Sequence, residues 1–248
     1  MSLTSLRKLR GSLSEDKFGA EFDEMMQAHD APENAAALHI RDLFLRPSLR
    51  KPLLLAGFLH LSHQLCGINA VLYYSTDIFN KTNPSISAYL TVSIGVLNVI
   101  LTVMAGAVID RAGRRPLLLF GTIGLTVVGI LYTVAFALNI GGLAVFCTYA
   151  YISFFAISLG PIPFLILPEL FPTKYLGLAS SVVLPINWGF NYLVGQVFPL
   201  MSITLGSYAF LPFTGYLVFA AVIIYMFLPE TKGKALALIL KDMNLPVD

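Results

Sequence analysis

Gln64, Asn69, Asn98, Asn187 and Asn191 are carboxamides that stand inside stretches of this chain that are otherwise apolar. An amide both donates and accepts hydrogen bonds, and hydrocarbon offers it no partner. Such side chains must meet one another, meet other helices, or line a wet cavity that holds a polar ligand. Their spacing puts them on shared helix faces. His60, His63, Gln64 and Gly67 recur at i, i+3, i+4 and i+7. Thr91, Gly95, Asn98 and Thr102 make a second polar-and-small stripe. Ser180, Leu184, Asn187, Asn191 and Gly195 make a third, with Pro185 and Trp188 beside it. Small and hydroxylated residues alone would only join helices, through interhelical hydrogen bonds averaging about 0.6 kcal/mol. Five amides exceed that need. With an indole face nearby, they suit a neutral hydroxyl-bearing ring better than an ion.

The same stretches offer little to catalysis. They hold no acid–base pair at depth, and His60 and His63 have no carboxylate to complete a metal site. Cys66 and Cys147 are isolated in apolar sequence, where a thiol serves as a small packing group. Neither an enzyme nor a bound cofactor is expected.

The elements that carry these residues follow from composition. Of 248 residues, 56% are hydrophobic and 12% charged, where soluble domains carry about 25% charged residues. Residues 116–168 and 175–229 contain no Asp, Glu, Lys or Arg. A run of about 20 apolar residues crosses the hydrocarbon core as a helix. Six such spans are expected, at roughly 53–77, 86–109, 117–138, 143–167, 177–202 and 207–228. They are separated by breakers such as Asn83-Pro84 and Pro168–Thr173. The fold class is an all-α membrane protein. Within the fourth span, Gly160-Pro161-Ile162-Pro163 removes two backbone donors and precludes a straight helix. Such an interruption either lines a binding site near the midplane or only shapes the bundle.

Lys and Arg number 8, 1, 3, 0, 1, 0 and 3 in the successive segments outside those spans, so one side holds 15 and the other only Lys81. The positive-inside rule then puts both termini in the cytoplasm. The formal net charge of +2 is small, and basic residues flanking spans need no nucleic-acid partner to explain them. Met1–Arg10 lacks the apolar run of a signal peptide.

Three regions result: a helical cytoplasmic segment over 1–51, a bundle over 52–230 and a cytoplasmic tail over 231–248. In the first, Ser12 and Glu15 have capping-box spacing, and Phe18, Phe22, Met25 and Met26 repeat with helical period. A second short amphipathic helix fits Ile40, Leu43 and Phe44, ending before Pro47. The segment reads as helices lying on the membrane face or as a partner-binding module. Charged residues gather at the same rim: Asp110, Arg111, Arg114 and Arg115 after the second span, Glu169 after the fourth, Glu230 after the sixth. They either set topology or pair in one conformation and part in another.

The ordered motifs of this chain resemble the sugar porters of the major facilitator superfamily, near the facilitative glucose and fructose carriers. Gln64–Ser75 resembles the family's seventh helix, and Arg111–Arg115 the basic loop after the eighth. Gly160–Pro163 is similar to the tenth helix, Asn187-Trp188 to the eleventh, and Pro229–Gly233 to the signature after the twelfth. The resemblance implies a C-terminal six-helix half and alternating access to a hexose. Sugar contacts then fall on Gln64, Asn69, Asn98, Asn187 and Trp188. His63 stands where a second glutamine is usual, and Phe164 where tryptophan is frequent. Asp110, Arg111, Arg114, Arg115, Glu169 and Glu230 become the inner gate. Ala156 replaces a glutamate common in the tenth helix, and Leu176 an arginine expected after Glu-Leu-Phe-Pro.

The expected partners are thus a monosaccharide, the lipid bilayer, and an N-terminal six-helix half or a second copy of the chain. Facilitated diffusion at the plasma membrane is the expected activity, and the chain alone is expected not to transport. A sugar-binding sensor or a non-transporting truncated half would use the same residues without flux.

Overall fold

Proline and glycine set the boundaries of nearly every helix. The computed structural model describes residues 39–82, 84–243 and 245. Its α-helices run α1 Ile40–Leu45, α2 Pro47–Leu65, α3 Ile68–Thr82, α4 Ser87–Ala112, α5 Arg114–Ala137, α6 Gly141–Ala156, α7 Ile162–Leu170, α8 Thr173–Leu205, α9 Leu211–Phe227 and α10 Leu236–Asp242. No strand occurs among the described residues. The Ser12–Glu15 spacing and the Phe18–Met26 repeat lie outside them.

α2 opens on Pro47, whose missing N–H and fixed φ suit the first helical position. The helix therefore begins before residue 52, where the bundle was expected to start. It stops at Gly67, which holds φ +83°. A side chain there would be strained, and a Cβ would also sit 2.7 Å from the Phe213 ring. The Cys66 carbonyl exposed by the break accepts the Tyr151 hydroxyl of α6. The Ile157–Pro161 interruption between α6 and α7 coincides with the expected break. There the Gly160 N–H donates to the Phe155 carbonyl at 2.9 Å, satisfying one group that a regular helix would have used.

Among the described residues three stretches are long and apolar enough to cross a membrane, namely Pro47–Tyr73, Ser87–Ala112 and Arg114–Ala137. A fourth forms if the pair α8–α9, which turns through 93° at the short Gly206–Tyr208 turn, is taken as one. α6 is apolar but shorter.

α5 packs on α6 and α9, α2 on α8, and α3 on α6. Tyr132 of α5 lies fully buried at the centre, stacked 4.5 Å from Phe210 and hydrogen bonded at 2.6 Å to the Thr148 hydroxyl. Hydroxyls along the helices mostly bond their own backbone one turn back. Thr122 donates to the Leu118 carbonyl at 2.6 Å and Ser180 to Leu176 at 2.8 Å. That local bonding makes Ser and Thr tolerable in apolar surroundings. Carboxamides reach further.

Candidate functional site

The amides of α2, α3 and α8 meet where the first span breaks. Gln64, 2% exposed, donates through Nε2 to Asn187 Oδ1 at 2.9 Å. Its Oε1 accepts Asn69 Nδ2 at 2.5 Å and Asn191 Nδ2 at 3.4 Å. Asn187 Nδ2 donates to the His60 carbonyl at 3.1 Å, and the Tyr73 hydroxyl to Asn191 Oδ1 at 3.3 Å. Gln64 is the hub because the α2 face aims it at α8, while the turn at Gly67 brings Asn69 back toward the same oxygen. Each amide stays satisfied without any charged group.

An aromatic wall adjoins the amides. His63 Nδ1 bonds the Leu159 carbonyl at 2.8 Å, and its ring stands edge-on to Phe164 at 5.4 Å and to Phe155 at 5.0 Å. His60 packs edge-on to the same Phe164 at 4.7 Å, fully buried, with neither ring nitrogen hydrogen bonded. The break before α7 makes this wall: it frees the Leu159 carbonyl for His63 and turns Phe164 toward α2.

The structure thus brings together Gln64, Asn69 and Asn187, with His63 and Phe164 alongside. Neither Asn98 nor Trp188 takes part in the bonds that join them. Asn98 is half-buried on α4, which packs chiefly on α3, α5 and α6. Trp188, the neighbour of Asn187 on α8, is 66% exposed. Sequence reasoning left Tyr73 unassigned and counted Asn191 among the amides without naming it as a site residue. Both take part in the cluster, and the helical repeat Asn187–Asn191 was the available signal.

A second constellation occupies the charged end of the bundle. The Arg114 guanidinium bonds Glu169 Oε1 through Nε at 3.0 Å and Nη2 at 2.9 Å, and reaches Asp110 at 3.4 Å. The other Glu169 oxygen accepts the Thr231 hydroxyl at 2.5 Å. Glu230 has a different role from a guanidinium partner. Its carboxylate accepts the backbone N–H groups of Arg114 at 3.0 Å and Arg115 at 3.1 Å, capping the otherwise unsatisfied first turn of α5. Gly113, at φ +93°, makes room for it, because a Cβ there would lie 2.7 Å from Glu230 Oε2. Arg115 turns to the Tyr225 carbonyl at 2.6 Å and lies over the Tyr225 ring. Arg111 is exposed and contributes its carbonyl to Lys232 Nζ at 2.6 Å. The ends of α4, α5, α7 and α9 are thereby tied in one network.

Residues 2–242 match the family described as sugar (and other) transporters. The chain belongs to this family. It is 38% identical over 234 residues to the facilitated glucose transporter member 1 of solute carrier family 2 from Gallus gallus, which covers 92% of this chain and 47% of the relative. It is 35% identical to a probable metabolite transport protein of Saccharomyces cerevisiae, covering 93% of this chain and 49% of that one. Among solved structures, the proton:xylose symporter XylE bound to 6-bromo-6-deoxy-D-glucose superposes with a TM-score of 0.77 at 26% identity, covering 96% of this chain and 51% of the other. The inward-open xylose transporter XylE from E. coli gives 0.71 at 27% identity, over 96% and 48% of the two chains. The chain spans about half the length of the relatives it matches. The sugar-transporter family places it in the membrane as a multi-pass, all-α chain of major facilitator type.

Proposed function

We propose that the chain is one half of an alternating-access sugar carrier and supplies one wall of its substrate cavity. The substrate is a neutral hexose such as glucose, moved by facilitated diffusion. The observation that carries this reading is the convergence of Gln64, Asn69, Asn187 and Asn191 on one spot, with no charged side chain among them. Those amides satisfy one another in the absence of sugar. Sugar hydroxyls would therefore exchange one set of hydrogen bonds for another, and the net gain per bond is modest. A carrier needs that balance, because the empty site must be stable enough to return. Tyr73 and Asn191 lie on the more open side and would admit the ring, while His63 and Phe164 meet its C–H face.

In this reading α2–α3, α4, α5, α6–α7, α8 and α9 are six spans, with both ends cytoplasmic in the plasma membrane. The Arg114–Glu169–Asp110 network and the Glu230 cap close the inner side, and separate when it opens. Asn98 on α4 and Trp188, exposed next to Asn187, would meet the sugar once an N-terminal half, or a second copy, stands opposite.

The test is uptake. Co-reconstituted with an N-terminal six-helix half in liposomes, the chain should give saturable, stereospecific entry of labelled D-glucose, and alone it should give none. Gln64→Leu should weaken hexose binding by roughly two- to twelve-fold, the equivalent of about 0.5–1.5 kcal/mol. Unchanged binding and uptake in that variant would remove Gln64 from the site.

A further inference from the structure

A groove of about 600 Å³ lies between α2, α9 and the end of α10, away from the amide cluster. Lys51, Leu54 and Phe58 stand on its α2 wall, at the spacing of one helix face, and Phe219 and Met226 on its α9 wall. Phe58 and Phe219, 6.0 Å apart edge to face, close its inner end. Leu54 and Met226 are each 65% exposed, so the groove opens sideways to its surroundings rather than into the protein. In a membrane-spanning chain those surroundings are acyl chains.

The mouth has the opposite character. Lys51 Nζ reaches only a neutral acceptor, the Met243 carbonyl at 3.3 Å, and Arg50 beside it is exposed. Among the described residues neither makes an ion pair. Among the described residues the carboxylate at the mouth is Asp242, already bridged by Lys234 at 2.6 Å. The groove therefore joins a deep apolar slot to a cationic entrance, set where the helices leave the hydrocarbon. A free anion would leave the slot empty, and an apolar molecule would leave Lys51 uncompensated. An amphiphile with one negative headgroup satisfies both.

We infer that this groove holds an anionic phospholipid, its headgroup on Lys51 and one acyl chain between α2 and α9. The inference rests on the membrane location of the chain and not on the sugar reading, so the two fail separately.

Trp188 is the single tryptophan of the chain, so a Trp188→Phe background is free of indole and accepts one reporter. Met226→Trp puts that reporter in the groove, and Phe120→Trp puts a control on the exposed side of α5. Each full-length variant is reconstituted in phosphatidylcholine vesicles and titrated with phosphatidylglycerol or phosphatidylcholine carrying brominated acyl chains. The Met226→Trp emission should be quenched with an apparent affinity about fivefold higher for brominated phosphatidylglycerol, as one uncompensated cation near a membrane surface provides. Phe120→Trp should show no preference. Adding Lys51→Gln should bring the Met226→Trp ratio to about one, and Lys51→Arg should keep it. Equal quenching by both lipids at Met226→Trp, or the same preference at Phe120→Trp, would overturn the assignment. So would a Met226→Trp reporter shielded from both lipids while the control is quenched, since the groove would then be filled by protein.

Discussion

α2 and α4 are both long apolar helices with a polar stripe, yet the bundle treats them oppositely. In the apolar window of Pro47–Tyr73, 67% of residues are buried, against 17% in Ser87–Ala112. On α2 the stripe lies in a seam with α8, and Gln64 is bonded to three amides. On α4 Val92, Val99 and Val103 beside the stripe are exposed, Thr91 meets the Thr76 hydroxyl of α3 at 2.9 Å, and half-buried Asn98 joins no amide cluster among the described residues. A polar residue in a covered seam contributes to the fold of this chain by itself. One on a bare face contributes only when something else covers it. The two stripes are therefore separable by experiment, one acting on stability and the other on assembly or binding.

The largest effect should come from the hub. Gln64→Leu leaves Asn69, Asn187 and Asn191 short of partners, and each buried amide without one costs about 1–3 kcal/mol. Thermal unfolding of the purified chain in detergent should show a clear loss of stability, and an unchanged melting point would mean the seam is not held by amides. Gly67→Ala comes next. The left-handed conformation costs a side-chain-bearing residue about 1–2 kcal/mol, before the Phe213 ring moves aside. The same melt reads it, and a neutral result would place the break elsewhere.

At the charged end, Glu169→Gln should destabilise less than either, because the pair is partly exposed and such pairs couple by about 1 kcal/mol or less. A double-mutant cycle of Glu169→Gln with Arg114→Gln should return that coupling, and the same cycle with Arg115→Gln should return none. Smallest is Asn98→Leu, expected to shift the stability of the chain by no more than about 0.5 kcal/mol. If it also leaves sugar binding intact in the assembled carrier, the α4 stripe has no part in the site.

Much of this arrangement was legible in the sequence, and the reasons differ by residue. Helical identity followed from apolar runs, and the α6–α7 interruption from Pro161 and Pro163, because missing donors act locally. Gln64 and Asn187 could be expected to share a site because each sits on a clear helical face. Their bond to each other depends on how α2 and α8 cross, which no local pattern specifies. Glu230 shows the limit most plainly. Charge complementarity pointed to a guanidinium partner, but the first turn of α5 presents free N–H groups to the same carboxylate. Backbone donors leave no trace in composition. The segment expected as a tail after residue 230 carries α10, whose Ile239 and Leu240 are buried.

The joint at Gly113 has a bearing on how this chain can be engineered. A single residue separates α4 from α5, and the Glu230 carboxylate is fitted to the first two N–H groups beyond it. An insertion of even one residue would rotate α5 by about 100° relative to that carboxylate, so a tag or fluorophore placed there would cost the cap. The turn between α5 and α6 at Asn139 is met by another segment at its α5 edge, where the Ser207 hydroxyl donates to the Phe136 carbonyl at 3.3 Å, while Leu138 and Ile140 are exposed. Of the two short connections, the second is where foreign sequence belongs.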